Sequence, residues 1–286
     1  MPRWVPDLFP KQQAQFECTK RLQLLVGARM SGKTVSLLHS VLRHCWTLPG
    51  ARFAIISKTA RTGTAGIWAT LTQKIFNEWV EAGIQTEDHA FGWTRPPYTD
   101  AITKINRAKM RNRFGGESEI LLYPIERAED AEEKLYSTEF SGIWISEGHL
   151  YDNRKLFDTA RMQLRLYGIP YDEYRLFVDE NYPKAGKSHW TYQIFYKERN
   201  MTEDQFDKDW DEEQREAIRE VQRESAVFEF NLADNTKMDP RQAKNVRATY
   251  AHDKAEYDRL AVGGWGRDDE SVFALRASFD KNIHVL

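Results

Sequence analysis

The chain contains little cysteine and carries little net charge. Its 286 residues include two cysteines, Cys18 and Cys45, and the formal net charge is −2 at pH 7. Two cysteines at this separation give neither a metal-ligand spacing nor a disulfide framework, which favours a reducing compartment. The balance of charges excludes a globally basic nucleic-acid-binding protein, but it leaves room for a local basic patch.

Long apolar runs are also missing. No stretch approaches the roughly 20 apolar residues that a membrane span requires, and residues 1–4 have no signal-peptide core. The sequence contains no internal repeat and no low-complexity segment. We therefore expect a soluble intracellular protein that does not bind a membrane, built as one large α/β domain or as a core with a small appendage.

A phosphate-binding motif is present near the N-terminus. Residues 24–26 are apolar, residues 27–34 follow the pattern G-x-x-x-x-G-K-T, and residues 35–42 suit a helix. A strand, this pattern and a helix together make a complete P-loop, or Walker A motif. Glycines let the backbone wrap around phosphate, and the helix N-terminus aims free N–H groups at it. The predicted nucleotide-binding residues of this loop are Gly27, Ala28, Arg29, Met30, Ser31, Gly32, Lys33 and Thr34.

The motif predicts ATP and Mg²⁺ as ligands. Lys33 is expected to reach the β- and γ-phosphates, and Thr34 to place its hydroxyl on Mg²⁺. Arg29 either forks onto phosphate oxygens or is a surface arginine paired with an acid. Gln13 stands three residues before Phe16 on one helix face and is predicted to hydrogen-bond an adenine edge, with a solvated amide as the alternative.

Two later strand ends carry further candidates. Residues 140–147 predict a buried strand ending at Glu147, which is expected to be the general base that orients water, with a helix N-cap neighbour as the alternative. Ser146 stands where an aspartate is usual, so it could reach Mg²⁺ only through a water. After a strand over residues 174–179, Asn181 could sense the γ-phosphate or simply form a turn.

A basic stripe follows in residues 106–114. If this segment is a strand, its period-two alternation places four bases on one face, and residues 115–116 turn the chain towards a partner strand at residues 120–123. Such a stripe suits a DNA backbone, and a solvated hairpin face is the alternative. The candidate DNA contacts are Arg107, Lys109, Arg111 and Arg113.

Alternating strands and helices predict the α/β class. We expect a P-loop NTPase of the RecA/ASCE-like type, with a mostly parallel sheet flanked by helices and the site at the carboxyl ends of the strands. We assign residues 1–225 to the ATPase core and residues 226–286 to a small C-terminal lid or linker, without a nuclease domain. Helices are predicted over residues 65–80, 152–165, 197–224 (one helix or a pair) and 240–260, and the chain from Arg267 onward is expected to be extended.

These landmarks resemble the ATPase domain of the large terminase subunit of tailed bacteriophages over nearly the whole chain. The resemblance rests on residues 9–13, the P-loop, residues 144–147, 180–183 with 189–190, 233–235 and 257–266. It implies a motor that uses ATP to pump double-stranded DNA through a portal into a procapsid in the host cytoplasm. It also implies a homo-oligomeric ring when docked, a monomer when isolated, and a small terminase subunit as a partner.

By position, the resemblance implies that Arg29 is the arginine of the terminase P-loop, Glu147 the catalytic glutamate and Asn181 part of the coupling segment. Three departures stand out. Ser146 replaces the Walker B aspartate. Tyr136 stands where an arginine acting on the neighbouring subunit's nucleotide is expected. The family usually continues into a nuclease, so this chain is expected to be an excised ATPase domain or half of a split system.

The departures leave alternatives open. The arginine supplied to a neighbouring subunit is predicted to be one of three: Arg127, Arg161 and Arg165. The alternatives to the motor are another DNA-dependent P-loop ATPase and a nucleotide-regulated assembly protein that docks to a capsid or portal with little turnover. Ser146 favours the assembly protein, because a weakened metal site would slow hydrolysis.

Overall fold

The computed structural model describes residues 6–265, and its centre is an eight-stranded sheet. The predictions for Gly266 and for the extended segment from Arg267 onward lie outside the described residues. The strands are β1 (Leu22–Gly27), β2 (Arg52–Ser57), β3 (Trp93–Thr99), β4 (Asn106–Arg111), β5 (Glu117–Pro124), β6 (Gly142–Ser146), β7 (Arg175–Glu180) and β8 (Ser225–Phe230).

Helices connect most of these strands. The α-helices are α1 (Pro10–Glu17), α2 (Lys33–Thr47), α3 (Ala60–Thr62), α4 (Phe76–Glu81), α5 (Ala131–Leu135), α6 (Lys155–Met162), α7 (Trp190–Tyr192), α8 (Glu212–Glu224), α9 (Pro240–Tyr250) and α10 (Lys254–Tyr257). The π-helical segments are Gly63–Trp68, Thr70–Ile75, Gln193–Lys197 and Asp258–Val262. Single 3₁₀ turns occur at Ala128–Asp130, Gly148–Leu150, Tyr171–Glu173, Gly186–Ser188, Glu198–Asn200, Glu203–Gln205 and Leu232–Asp234.

The sheet is mostly parallel, as predicted. Its strand order is β3-β4-β5-β2-β6-β7-β1-β8. The six strands from β5 to β8 in this order run parallel to their neighbours, and β3 and β4 add an antiparallel edge. Strand β7 therefore lies between the P-loop strand β1 and strand β6, which leads into Glu147.

Helices cover both faces of the sheet, so the central strands read as continuous apolar runs. One core joins Leu24 and Ile145 to side chains of α5, α6 and α7. The other joins Leu25 and Trp144 to side chains of α1's N-cap, α2 and α4. Neighbouring residues of a strand thus enter opposite cores, as strand geometry requires. The P-loop helix α2 lies on the Trp144 face.

Two long predicted helices are interrupted. Within residues 197–224 the regular helix α8 begins at Glu212, and Asp211 caps it by accepting from the backbone N–H of Gln214 at 2.8 Å. Within residues 240–260, α9 ends at Tyr250, and Asp253 starts α10 by accepting from Glu256 N–H at 3.0 Å. Short acidic side chains compete for backbone donors and favour new helix starts, which is why the helical pattern breaks there.

The segment assigned to the lid begins inside the sheet. Strand β8 pairs with β1 along its whole length, from Ser225 opposite Leu22 to Phe230 opposite Gly27. Residues 226–230 are therefore a strand of the central sheet, and the proposed division at residue 225 stays a prediction. No helix within residues 6–265 is both long and apolar enough to cross a membrane.

Candidate nucleotide site

A cavity of about 1500 Å³ opens at the carboxyl edge of the parallel strands. Carboxyl ends of parallel strands meet at one edge, so loops that are distant in sequence converge there. The cavity brings together nine of the predicted site residues: Arg29, Met30, Ser31, Gly32, Lys33, Thr34, Ser146, Glu147 and Asn181.

The P-loop backbone requires its glycines. Gly27 has φ +155°, and a Cβ there would lie 1.8 Å from the carbonyl oxygen of Phe230. Gly32 has φ +93°, and a Cβ there would lie 2.9 Å from the Gln12 amide nitrogen. Ala28 N–H donates to the Phe230 carbonyl at 2.9 Å, which ties the loop to β8. The loop is therefore packed between β8 and α1 without space for larger side chains at these two positions.

Lys33 is folded back into its own loop. Its ammonium donates to the carbonyl oxygens of Gly27 at 3.0 Å and Ala28 at 2.8 Å, and to Asn181 Oδ1 at 3.3 Å. Burial lowers the pKa of Lys33 to about 8, although Asp179 and Glu180 act in the opposite direction. A buried cation held by neutral carbonyls gains a stronger partner when an anion enters the cavity.

Glu147 combines a strained backbone with a perturbed carboxyl. Its φ of +55° and ψ of +48° are left-handed, a conformation that costs a non-glycine residue roughly 1–3 kcal/mol. Burial, and secondly the charge of Asp179, raise the pKa of the Glu147 carboxyl. A general base works best when its pKa moves towards the working pH. Both features suit the predicted role of Glu147.

Two acids of this site were missed by the sequence reasoning. Asp179 and Glu180 end strand β7, line the cavity and are 5% and 1% exposed. Asp179 pairs in register with Ser146 and accepts from Trp144 Nε1 at 2.8 Å. The predicted strand over residues 174–179 already ended in an acid, which was the available signal.

Glu180 is held on the other side of β7. Its Oε1 accepts from the Thr191 hydroxyl at 2.7 Å, and its Oε2 is 4.0 Å from His189 Nδ1. Burial raises the pKa of the Glu180 carboxyl to about 8. This acid is therefore anchored to the start of α7, whereas Asp179 is anchored to β6.

Asn181 connects the P-loop lysine to the C-terminal segment. Its side-chain oxygen accepts from Lys33, and the carbonyl of the next residue, Tyr182, accepts from Arg259 Nη1 at 2.8 Å. The Tyr182 ring also meets the Trp265 ring edge to face, with centroids 5.3 Å apart. Through Asn181 and Tyr182, a movement of the Lys33 side chain can therefore affect residues 259–265.

Arg29 bonds to the Tyr250 hydroxyl, and its predicted contact with phosphate stays a prediction. Its Nη1 donates to the Tyr250 hydroxyl at 2.9 Å while its side chain lines the cavity. Its backbone N–H donates to the Leu260 carbonyl at 2.9 Å, and Asn235 Nδ2 donates to the Met30 carbonyl at 2.8 Å. The P-loop is thus bonded directly to the segment that follows β8.

Gln12 lines the cavity, whereas Gln13, the residue predicted to bond the adenine, is not among the lining residues. Gln13 Nε2 donates to Glu17 along helix α1, whereas Gln12 lines the cavity. Gln12 Nε2 donates to the Gly32 carbonyl at 2.8 Å, and its Oε1 accepts from Phe9 N–H at 3.3 Å. One residue rotates a helical side chain by about 100°, so Gln12 and Gln13 lie on different sides of α1. The adenine contact itself stays a prediction.

The three candidate arginines differ in their surroundings. Arg161 Nη2 is 2.7 Å from Glu220, and Arg165 Nε is 3.8 Å from Glu139, so both face acids of their own chain. Arg127 is exposed and lies just after β5, at the same edge of the sheet as the cavity. Arg61, which the sequence reasoning did not select, lines the cavity itself.

The basic stripe forms a strand, but acids of the partner strand face it. Arg107 Nη1 is 3.0 Å from Glu119, and Lys109 Nζ is 3.0 Å from Glu117. Strand β4 ends at Arg111, so Arg113 lies in the turn that follows the strand. The four bases therefore do not all belong to one strand, and two of them are paired with glutamates of the partner strand.

The site offers oxygen donors that suit Mg²⁺. Thr34, Ser146 and Asp179 line the cavity with two hydroxyls and a carboxylate. Mg²⁺ prefers oxygen ligands, keeps several waters and binds through one or two carboxylates together with substrate phosphates. Within residues 6–265 no group of three or more His, Cys, Asp or Glu residues could hold a metal ion alone. The residues therefore fit an ion that arrives with a nucleotide.

Comparisons with known proteins agree on the fold. No family model and no curated protein matches the sequence. A large terminase from a thermophilic bacteriophage is 15% identical with a TM-score of 0.64, over 90% of this chain and 53% of the terminase chain. The large terminase ATPase domain of Thermus phage P74-26 is 14% identical with a TM-score of 0.54, over 91% and 94%.

The terminase of the thermophilic bacteriophage has also been solved with ADP, and that structure has a TM-score of 0.64 at 14% identity, over 91% of this chain and 54% of its own. The chain thus spans about half the length of that terminase. These likenesses show that residues along nine-tenths of the chain adopt the fold of large terminase ATPase domains. The expected P-loop α/β fold is confirmed.

Proposed function

Because this chain has the fold of large terminase ATPase domains, we propose that it is an ATP-hydrolysing motor domain that drives double-stranded DNA into a viral procapsid. The observation that carries the proposal is the convergence of Lys33, Glu147 and Asn181 on one cavity beside the P-loop. Transfer of a phosphoryl group to water needs a cation that binds the phosphates and a group that orients the attacking water. Lys33 and Glu147 suit these two roles, and Asn181 lies beside them at the end of the neighbouring strand.

In the proposed reaction, Lys33 leaves the carbonyls of its loop and binds the β- and γ-phosphates of ATP. Glu147 accepts a proton from the water that attacks the γ-phosphorus, while ADP departs. Thr34, with Ser146 through a water, would hold Mg²⁺, which when bound neutralises charge on the phosphates. The elevated pKa of Glu147 supports this role, because it brings the base closer to neutral pH.

Arginines are proposed to stabilise the charge on the departing phosphate. Arg29 would exchange its bond with Tyr250 for a phosphate oxygen. For the arginine supplied to a neighbouring subunit, Arg127 is favoured over Arg161 and Arg165, because it is exposed at the correct edge of the sheet. Arginines acting in trans are worth about 10³–10⁵ in rate.

The motor would pass the chemical change through Asn181 and Arg259 to the C-terminal segment. We propose a homo-oligomeric ring on the portal of a procapsid in the host cytoplasm, with double-stranded DNA and a small terminase subunit as partners. Of the basic stripe, Arg111 and Arg113 remain the candidate DNA contacts, because Arg107 and Lys109 already face glutamates.

A second candidate function rests on Ser146. If the absence of a Walker B carboxylate at position 146 slows hydrolysis, the chain would act as a nucleotide-regulated docking protein with little turnover. Another DNA-dependent P-loop ATPase would show turnover stimulated by DNA but not by procapsids.

Steady-state ATP hydrolysis separates these functions. It is measured with and without long double-stranded DNA and with procapsids bearing portals, for wild type, Glu147→Ala and the exposed control Glu133→Ala. The motor predicts stimulation by DNA and procapsids that Glu147→Ala abolishes and Glu133→Ala retains. Tight ATP binding with negligible turnover under every condition would contradict the motor and support the docking protein.

A further inference from the structure

Strand β6 ends in a hydroxyl where P-loop ATPases usually carry an aspartate. Ser146 pairs in register with Asp179 on the neighbouring strand β7. We propose that Asp179 supplies, from β7, the carboxylate that position 146 lacks, and that it holds the water shell of Mg²⁺ in the nucleotide site. This inference rests on the proposed ATP-binding function.

Strand geometry places Asp179 on the correct face of the sheet. Trp144, two residues before Ser146, and Phe177, two residues before Asp179, enter the core that contains the side chains of α2. Alternation then puts Ser146 and Asp179 on the same face as α2, whose first turn carries Thr34. All three residues line the cavity.

Hydrogen bonds fix the Asp179 carboxylate against β6. Its Oδ1 accepts from Trp144 Nε1 at 2.8 Å and from the Glu147 backbone N–H at 3.4 Å. Its side chain is thereby held at the ends of β6 and β7 rather than free to turn away. A fixed carboxylate beside two hydroxyls is an oxygen set that suits a hydrated magnesium ion.

Charge balance supports the same assignment. Lys33 and Asp179 line the same cavity, and Asp179 is only 5% exposed. When a nucleotide binds, the Lys33 ammonium moves towards the phosphates and interacts less with Asp179. The buried Asp179 carboxylate then needs another cation nearby. A divalent cation bound with the nucleotide would compensate the negative charge of Asp179 and of the phosphates.

Glu180 provides a matched control. It is the next residue of β7, is also buried and also lines the cavity, but its side chain lies on the other face of the sheet, where it accepts from Thr191. Asp179→Asn and Glu180→Gln each replace a buried carboxyl by an amide of nearly the same shape. Only the first removes the carboxylate on the face of Thr34.

The test measures binding rather than turnover. Affinity for a non-hydrolysable ATP analogue is determined in EDTA and across a Mg²⁺ titration, and electron paramagnetic resonance of free Mn²⁺ reports metal binding to the protein saturated with the analogue. The variants are Asp179→Asn, Glu180→Gln and the exchange variant Ser146→Asp with Asp179→Ser. Asparagine keeps an oxygen for Trp144 Nε1, so the first variant retains that contact.

We expect Asp179→Asn to weaken metal affinity about 10- to 100-fold, as loss of a metal's supporting carboxylate typically does. Binding in EDTA should persist, and the exchange variant should recover most of the metal affinity. Unchanged metal affinity in Asp179→Asn, or an equal loss in Glu180→Gln, would overturn the assignment. Absence of nucleotide binding by wild type, even with Mg²⁺, would instead contradict the proposed function.

Discussion

The buried ammonium of Lys33 should destabilise the nucleotide-free protein. Its pKa falls from the ordinary value of 10.5 to about 8 because the side chain is buried. At about 1.4 kcal/mol per pH unit, this corresponds to about 3 kcal/mol against folding while the lysine is charged. Replacement by methionine, which has a similar length, removes this cost.

The increase in stability expected for Lys33→Met is reduced by the loss of the hydrogen bonds that Lys33 donates. Lys33 donates to two loop carbonyls, Gly27 and Ala28, and their loss costs about 1–2 kcal/mol. We therefore expect Lys33→Met to raise the free energy of unfolding by roughly 1–2 kcal/mol at pH 7 without nucleotide. The same variant should lose most of its ATP affinity, because the cation for the phosphates is gone.

Chemical denaturation of the nucleotide-free protein at pH 7 measures this change. The control is Lys134→Met, since Lys134 is exposed and also donates to a backbone carbonyl, that of Pro124, at 2.7 Å. Its substitution should alter stability by less than about 0.5 kcal/mol. A Lys33→Met protein less stable than wild type would show that the buried ammonium does not destabilise the nucleotide-free protein.

The contribution of Lys33 to the free energy of unfolding should change with pH in a defined direction. Between about pH 8 and pH 10.5 the unfolded chain binds a proton at Lys33 that the folded protein has released. The contribution of Lys33 to stability therefore rises with pH through this window. Wild-type affinity for ATP should fall above pH 8, since binding needs the charged form, and Lys33→Met should show no such fall.

Three further substitutions test the geometry. Gly27→Ala should lower the free energy of unfolding by about 3 kcal/mol in denaturant titrations, because its Cβ would lie 1.8 Å from a backbone oxygen; stability equal to wild type would contradict this. Gln12→Ala should weaken ATP affinity, measured by fluorescence titration, because the Gly32 carbonyl in the P-loop loses its hydrogen-bond donor. Gln13→Ala should not weaken it, because Gln13 bonds to Glu17. Equal effects of the two substitutions would count against a specific role of Gln12. Arg127→Ala should reduce the turnover of assembled rings about 1000-fold, and no change in rate would exclude Arg127 as the arginine acting in trans.

The P-loop and the position of Glu147 just after strand β6 could be predicted because local sequence defines them. A G-x-x-x-x-G-K-T pattern between a strand and a helix specifies backbone geometry within a few residues, and a strand that ends in a carboxylate is visible in the same way. The mostly parallel sheet followed from the alternation of strands and helices.

The positions of Asp179 and Gln12 could not be predicted by the same reasoning, because they depend on how separate elements meet. Asp179 acquires its position from the register between β6 and β7, which the sequence does not display. Gln12 faces Gly32 because of the rotation of α1 against the P-loop, where one residue changes the direction by about 100°. The acids opposite Arg107 and Lys109 likewise depend on strand pairing.

We propose that ATP is hydrolysed in this cavity with Glu147 as the base. The most direct measurement is the rate of ATP hydrolysis by Glu147→Gln and wild type at high protein concentration, with ATP affinity determined for both. We expect Glu147→Gln to bind ATP at least as tightly as wild type and to hydrolyse it at least about 100-fold more slowly, because the general base is lost. Equal rates for the two proteins would contradict it.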